Sequence, residues 1–246
     1  MEDNKLFIVG IGPGNIEDMS RSAYNTLNEV EVIVAYKTYL NLISDLIKEK
    51  QEIYQSGMRQ EKERAEKAIE LAKKGKSVAI ISSGDPGVYG MAGLVFELID
   101  ERDYELEVEV VSGITAANAA AAILGAPLMH DYAVISLSDL LTPWEQIKKR
   151  LRNAAEADFI TVLYNPRSSK RKEQIKIARK IFLEYRQTST PVGIVRNAGR
   201  KGEEKIITDL NQMLNNKIDM LSTVIIGNSE TYVSKGRIIT PRGYNL

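Results

Sequence analysis

The residues best equipped for chemistry are Ser83-Gly84-Asp85-Pro86. Asp85 is the single charge of this stretch, Ser83 offers a hydroxyl, and Gly84 lets a ligand approach the backbone closely. The stretch follows the apolar run Val78-Ala79-Ile80-Ile81 and precedes a helical pattern from Met91 to Leu98. Strand, tight loop and helix in that order put the loop outside the carboxyl end of a sheet strand, where open α/β folds bind ligands. Gly-Asp-Pro is also ordinary turn chemistry, so this loop alone leaves both readings open.

A second loop, Gly10-Ile11-Gly12-Pro13-Gly14, follows a strand at Lys5–Val9 and suggests dinucleotide binding. The fingerprint needs a third glycine at position 15, which is Asn15. It also needs an acid near the end of the next strand, which reads Val34-Ala35-Tyr36. Pro13 removes an N–H that a pyrophosphate would use. The loop suits close approach by a ligand and is a poor cradle for phosphate. A third turn, Ser112-Gly113-Ile114-Thr115, leads into the alanine-rich helix Ala116–Leu124. So small a helix packs backbone-close, against either a sheet or a ligand.

The positioning elements read as α/β throughout. Helices are expected at Arg21–Glu29, capped by Ser20, at Tyr39–Leu46 and at Gln60–Lys74, the last ended by Gly75. Strands are expected at Glu31–Ala35 and Glu107–Val111. Gly125-Ala126-Pro127 breaks the pattern, which puts a first domain at 1–125 and a second at 126–246. In the second half strands fall at Ala133–Leu137, Phe159–Leu163, Val192–Val195 and Thr223–Ile226, with shorter ones at Lys205–Thr208 and Arg237–Ile239. Helices fall at Pro143–Glu156, Lys172–Tyr185 and Leu210–Lys217. Thr142-Pro143-Trp144-Glu145 has the form of a capping box.

Composition narrows the chemistry. Lys plus Arg and Asp plus Glu number 33 each in 246 residues, so no bulk field favours nucleic acid. There is no cysteine, which excludes thiolate metal sites, iron–sulfur clusters and cysteine nucleophiles. A single histidine, His130, argues against a histidine-rich metal site or a Ser-His triad. No apolar run reaches the ~18–20 residues of a membrane span, and a cytoplasmic protein is expected.

Together, Gly10–Gly14, Ser83–Pro86, Ser112–Ala116 and Leu163-Tyr164-Asn165-Pro166 resemble the tetrapyrrole methyltransferases, class III S-adenosylmethionine (SAM) enzymes. Their order and spacing cover nearly the whole chain. Gly57-Met58-Arg59-Gln60-Glu61, the stretch from Met129 to Trp144 and Thr240-Pro241-Arg242-Gly243-Tyr244 are similar to the branch that methylates carbon 17 of precorrin-3B or cobalt-precorrin-3, with ring contraction, in cobalamin synthesis. The resemblance implies a homodimer of two-domain subunits with SAM in the cleft between the domains. It implies SAM contacts at Pro13, Ser83, Gly84, Asp85, Val88, Thr115, Ala116, Asn165, Ala198 and Pro241. Asn165 stands where a relative that methylates uroporphyrinogen has methionine, and Ala198 where it has glycine. Tyr36 falls near that relative's proposed catalytic acid, so no catalytic acid is carried over.

A polycarboxylate substrate calls for arginine, and Arg59, Arg167, Arg196 and Arg242 lie in loops. Ser168-Ser169-Lys170-Arg171-Lys172 reads as a solvated helix start. His130 is the candidate general base, although a lone histidine is more often structural. Two other readings stand beside this one: a sister methyltransferase acting on another ring carbon, or on protein or RNA, and a nucleotide-binding module without catalysis.

Overall fold

The computed structural model describes residues 5–245. The chain divides into two compact units, Met1–Ala116 and Ala117–Leu246. The first contains β1 (Lys5–Gly10), α1 (Arg21–Glu29), β2 (Val32–Tyr36), α2 (Lys37–Leu40), β3 (Glu52–Ser56), α3 (Glu61–Lys73), β4 (Val78–Ser82), α4 (Ala92–Glu101) and β5 (Glu107–Val111). Its sheet runs β3-β2-β4-β1-β5, and every pairing is parallel. Both faces are covered. Leu6, Ile8, Val78 and Ile80 meet the buried sides of α3 and α4, while Val9, Ala79 and Ile81 meet Ala23 and Leu27 of α1. Two-sided burial is why the strand residues form unbroken apolar runs rather than alternating ones.

The second unit contains α5 (Ala116–Leu124), β6 (Gly125–Ala126), β7 (Tyr132–Ser136), α6 (Trp144–Glu156), β8 (Ile160–Tyr164), α7 (Gln174–Leu183), β9 (Pro191–Arg196), β10 (Glu204–Asp209), β11 (Ser222–Ile226), β12 (Tyr232–Ser234) and β13 (Arg237–Ile239). Its main sheet runs β10-β9-β11-β8-β7, with β7 and β8 parallel and the other pairings antiparallel. β12, β13 and β6 form a small third sheet. α6 and α7 cover one face through Ile147, Leu151, Ala178 and Phe182.

α5 covers the other face, and this moves the expected boundary. Ala117, Ala120 and Leu124 pack on Ile160, Val162, Val195 and Ile225, so the helix belongs with the second sheet and the divide falls before it rather than after Gly125. The alanines serve a helix–sheet contact. Gly193 on β9 makes the space: a Cβ there would lie 2.7 Å from Leu124 Cδ2.

Ser20 caps α1 as expected, its Oγ accepting the Ala23 N–H at 3.1 Å. Three expectations fail. Tyr39–Leu46 is not one helix but the single turn of α2 and a 3-10 turn at Ser44–Leu46. Leu210–Lys217 forms only a 3-10 turn at Met213–Asn215; the amides of Leu210 and Asn211 donate to the Thr190 and Thr188 carbonyls, and Asp209 Oδ1 accepts the Gln212 N–H. The capping box does not form: Pro143, with ψ 134°, is itself the cap residue and makes no side-chain bond.

A buried ion pair ties the far end of the second sheet. The Arg186 side chain is 4% exposed and meets Asp158 at 2.9 Å, and Asp158 also accepts the Ser229 hydroxyl at 2.6 Å. Burial pushes the Arg186 guanidinium below its ordinary range, while Asp158 opposes the shift.

Gly193→Val should destabilise the protein by about 1–3 kcal/mol through overpacking against Leu124. Urea unfolding measures this, and Gly193→Val with Leu124→Ala should recover part of the loss. Equal losses in the single and double variants would count against the packing account.

Candidate active site

The strand order brings three motif loops together. β4, β1 and β5 are neighbours, so the loops after them share one carboxyl edge of the first sheet. Gly12 and Gly84 form an isolated antiparallel bridge, with N–H to carbonyl distances of 3.2 and 2.7 Å. A Cβ on Gly10 would lie 2.6 Å from the Gly84 carbonyl oxygen and 2.8 Å from the Gly113 nitrogen. The chains therefore touch backbone to backbone, at a separation only glycine allows.

Asp85 closes this contact. Its Oδ1 accepts the Gly87 N–H at 2.8 Å and its Oδ2 accepts the Gly113 N–H at 3.0 Å. The carboxylate thus staples the loop after β4 to the loop after β5. Each oxygen keeps a second lone pair, but the side chain is first a clasp. Gly84 needs its φ of +70°, whereas a Cβ there would find ordinary space, its nearest neighbours being 3.9 Å away. Within the protein its requirement is conformation, and the tight backbone contacts belong to Gly10 and Gly113.

Around this knot lie Pro13, which is buried, Ser83 and Thr115, which are half-buried, and Ala116, which opens α5. Val88 is 37% exposed, beyond a turn in which its N–H donates to the Asp85 carbonyl at 3.3 Å. Arg59 lies in the loop after edge strand β3, exposed and in the left-handed region with φ 65°. It has no ion pair among the described residues. Glu63, in the first turn of α3, accepts from Tyr54 Oη at 3.0 Å and Gln60 Nε2 at 2.8 Å.

In the second unit, Asn165 follows β8 with φ 50° and donates its Nδ2–H to Ser136 Oγ at 3.0 Å. Ala198 follows β9 and packs against the cluster beneath α5. Arg167 is half-buried on the same loop as Asn165, with no ion pair among the described residues. Arg196 is already committed: its Nε meets Asp219 at 2.7 Å and its Nη1 meets Glu204 at 3.4 Å. Burial pushes the Asp219 carboxyl up, but bonds from Arg196, the Leu221 amide and Ser222 outweigh it, and the net shift is down.

The remaining expected residues gather elsewhere in the second unit. Pro241 and Arg242 are exposed and follow Thr240, whose Oγ1 donates to the Pro127 carbonyl at 2.8 Å. Arg242 Nη1 lies 3.5 Å from the Met129 carbonyl. The His130 side chain is 49% exposed, and its Nδ1 accepts the Asp131 N–H at 3.0 Å. The Asp131 carboxylate lies 3.8 Å from the same nitrogen.

Sequence reasoning missed one residue outright. The run Ser168–Lys172 does not begin a solvated helix. α7 starts at Gln174, and Arg171 turns inward to Ser138, Asn165 and Met220. Nothing in a charge run signals this, because direction is set by the turn beneath it.

A family model described as tetrapyrrole (corrin/porphyrin) methylases matches residues 5–214. The chain belongs to that family. "Cobalt-factor III methyltransferase" of Priestia megaterium is 49% identical over 98% of this chain and 45% of its own length. "Probable cobalt-factor III C(17)-methyltransferase" of Salmonella typhimurium strain LT2 is 50% identical over 98% of this chain and 100% of its own length. The chain thus spans about half of the first relative and all of the second. Among solved structures it resembles "the methyltransferase CobJ", with TM-score 0.89, 34% identity and coverage of 96% of this chain and 99% of that one. A structure titled as cobalt precorrin-4 methyltransferase, CbiF, shares the fold at TM-score 0.75 and 23% identity, covering 92% and 95%. No helix of the described residues is long and apolar enough to cross a membrane.

Two predictions follow from this geometry. Asp85→Ala should lower stability by about 1–3 kcal/mol, because it orphans two loop amides, and should weaken S-adenosylhomocysteine binding in step. Lost affinity with an unchanged melting temperature would make Asp85 a ligand residue only. Asp219 has its carboxyl held low, so its contribution is complete above the ordinary carboxylate value of ~3.9 and is lost as pH falls through the lower folded value. Asp219→Asn should cost about 1 kcal/mol at neutral pH, allowing for solvent screening, and progressively less on acidification below pH ~4. A pH-independent difference in denaturant midpoint would count against this.

Proposed function

We propose that the chain is a SAM-dependent C-methyltransferase acting at carbon 17 of a tetrapyrrole of the cobalt-factor III kind, in cobalamin synthesis. The observation that carries this reading is the 50% identity, over 98% of this chain, to a full-length relative of that name. The geometry supports it independently. The β4–β1–β5 edge brings bare backbone within reach of a ligand, and Pro13 makes it ill-suited to phosphate. A neutral nucleoside carrying a sulfonium fits such an edge.

SAM, when bound, supplies a methyl group activated by its sulfonium, which an electron-rich ring carbon attacks in line. Gly10, Gly12, Gly84 and Gly113 fix the loops around the donor, and Asp85 keeps them from separating. Pro13, Ser83, Gly84, Val88, Thr115 and Ala116 are the proposed first-unit contacts. Asn165, Ala198 and Pro241 are carried by the family pattern. Holding the reactants and excluding water account for most of the rate in such a transfer, so no side chain needs to be a strong acid or base. Arg59, Arg167 and Arg242 are proposed to meet substrate carboxylates. Arg196 is a weaker proposal because Asp219 and Glu204 already hold it. A homodimer and a cytoplasmic location belong to the same reading.

Incubation with SAM and cobalt-factor III, and in parallel with metal-free precorrin-3B, should add the mass of one methyl group to one or both, located at carbon 17 by NMR. Methylation at another carbon would favour a sister activity. Binding of ATP or NAD with none of S-adenosylhomocysteine would overturn the reading. Arg59→Ala should lower kcat/KM for the tetrapyrrole by about 10–100-fold with S-adenosylhomocysteine affinity and melting temperature nearly unchanged. Normal tetrapyrrole kinetics would return Arg59 to the solvated surface.

A further inference from the structure

Arg171 is a half-buried cation with no counter-charge among the described residues. The chain after β8 makes a tight turn in which Ser168 N–H donates to the Arg171 carbonyl at 2.9 Å and Arg171 N–H donates to Ser168 Oγ at 3.1 Å. The turn carries the guanidinium over the carboxyl ends of β7 and β8. Its Nη1 lies 3.4 Å from Ser138 Oγ; its Nη2 lies 3.4 Å from the Asn165 carbonyl and 3.2 Å from Met220 Sδ. Nε is shielded from solvent and has no acceptor.

Two other arginines leave a buried Nε without an acceptor, and the comparison isolates Arg171. Arg64 has Glu61 at 4.0 Å and Arg186 has Asp158 at 2.9 Å. Arg171 has no carboxylate within ion-pair distance among the described residues. A guanidinium stays charged at any physiological pH, and taking it out of water is costly unless an anion or strong acceptors replace the hydration. Two 3.4 Å contacts and a thioether replace little of it. The same edge leaves Met220 and Leu221 46% and 48% exposed. An unmatched guanidinium beside uncovered apolar side chains suits an occupant that is both flat and apolar and carries carboxylates on flexible arms.

We propose that Arg171 binds a side-chain carboxylate of the tetrapyrrole and so selects the substrate rather than the methyl donor. This rests on the functional reading above. A carboxylate accepting from the guanidinium would supply the charge-assisted partner that its present contacts lack.

The test is absorbance titration of cobalt-factor III, without SAM, into the wild-type protein, Arg171→Met and Arg171→Lys, with calorimetry of S-adenosylhomocysteine alongside. Arg171→Met should weaken tetrapyrrole binding by about 10–100-fold while leaving S-adenosylhomocysteine affinity within about twofold. Arg171→Lys, which keeps the charge and loses the fork, should fall between, and covers the case in which the methionine variant fails to fold. Added salt should weaken wild-type binding more than that of Arg171→Met. Wild-type binding with both variants equal to it overturns the assignment alone. Equal loss of both ligands overturns it too, by making Arg171 part of the loop architecture. A wild-type protein that binds no tetrapyrrole overturns the functional reading along with it.

Discussion

The first unit depends on three polypeptide backbones touching without side chains between them. At Gly10, Gly84 and Gly113 the loops after β1, β4 and β5 come as close as peptide groups can pack. The parallel sheet makes the approach possible by placing these strands side by side. Absent side chains make it tight, and one carboxylate holds it, since Asp85 accepts amides from two of the three loops. A charged group spent on backbone amides stiffens a surface that would otherwise be the softest part of the unit. Rigidity at this edge is what methyl transfer needs, because the reaction asks for alignment more than for proton transfer.

The second unit solves a different problem with its charges. Arg186 and Arg196 are matched by acids and act as internal ties between helices, strands and loops. Arg171 is built into the same kind of surroundings without a match. The contrast is informative because all three sit in one unit and differ in the partner supplied.

The sequence made most of the architecture legible. Ser20 and Gly75 marked helix ends, the unbroken run Val78–Ile81 announced a doubly covered strand, and Ala116–Leu124 revealed a helix of small residues. The misses have physical causes. β3 offers no sequence signal, because an edge strand reading Glu-Ile-Tyr-Gln-Ser is too exposed to carry an apolar run. Leu210–Lys217 kept a helical pattern, but only Met213–Asn215 turns, as a 3-10 helix. The site was legible as a set of loops and not as a set of roles. Asp85 stood out as the one charge, yet its bond to Gly113 depends on a contact 28 residues away. Arg171 was hidden in a basic run whose inward turn is made by Ser168.

The small sheet has a consequence for how the second unit is assembled. Ile238 completes the apolar cluster beneath α5, β13 pairs with β6, and Thr240 bonds the Pro127 carbonyl across 113 residues of chain. The opening helix of the unit is therefore sealed by a segment synthesised long after it. During translation the Ala117–Leu124 stripe must wait with that part of its covering absent, and closing so long a loop is slow. Until that segment arrives the stripe is uncovered apolar surface of the kind that makes incompletely folded chains prone to aggregate.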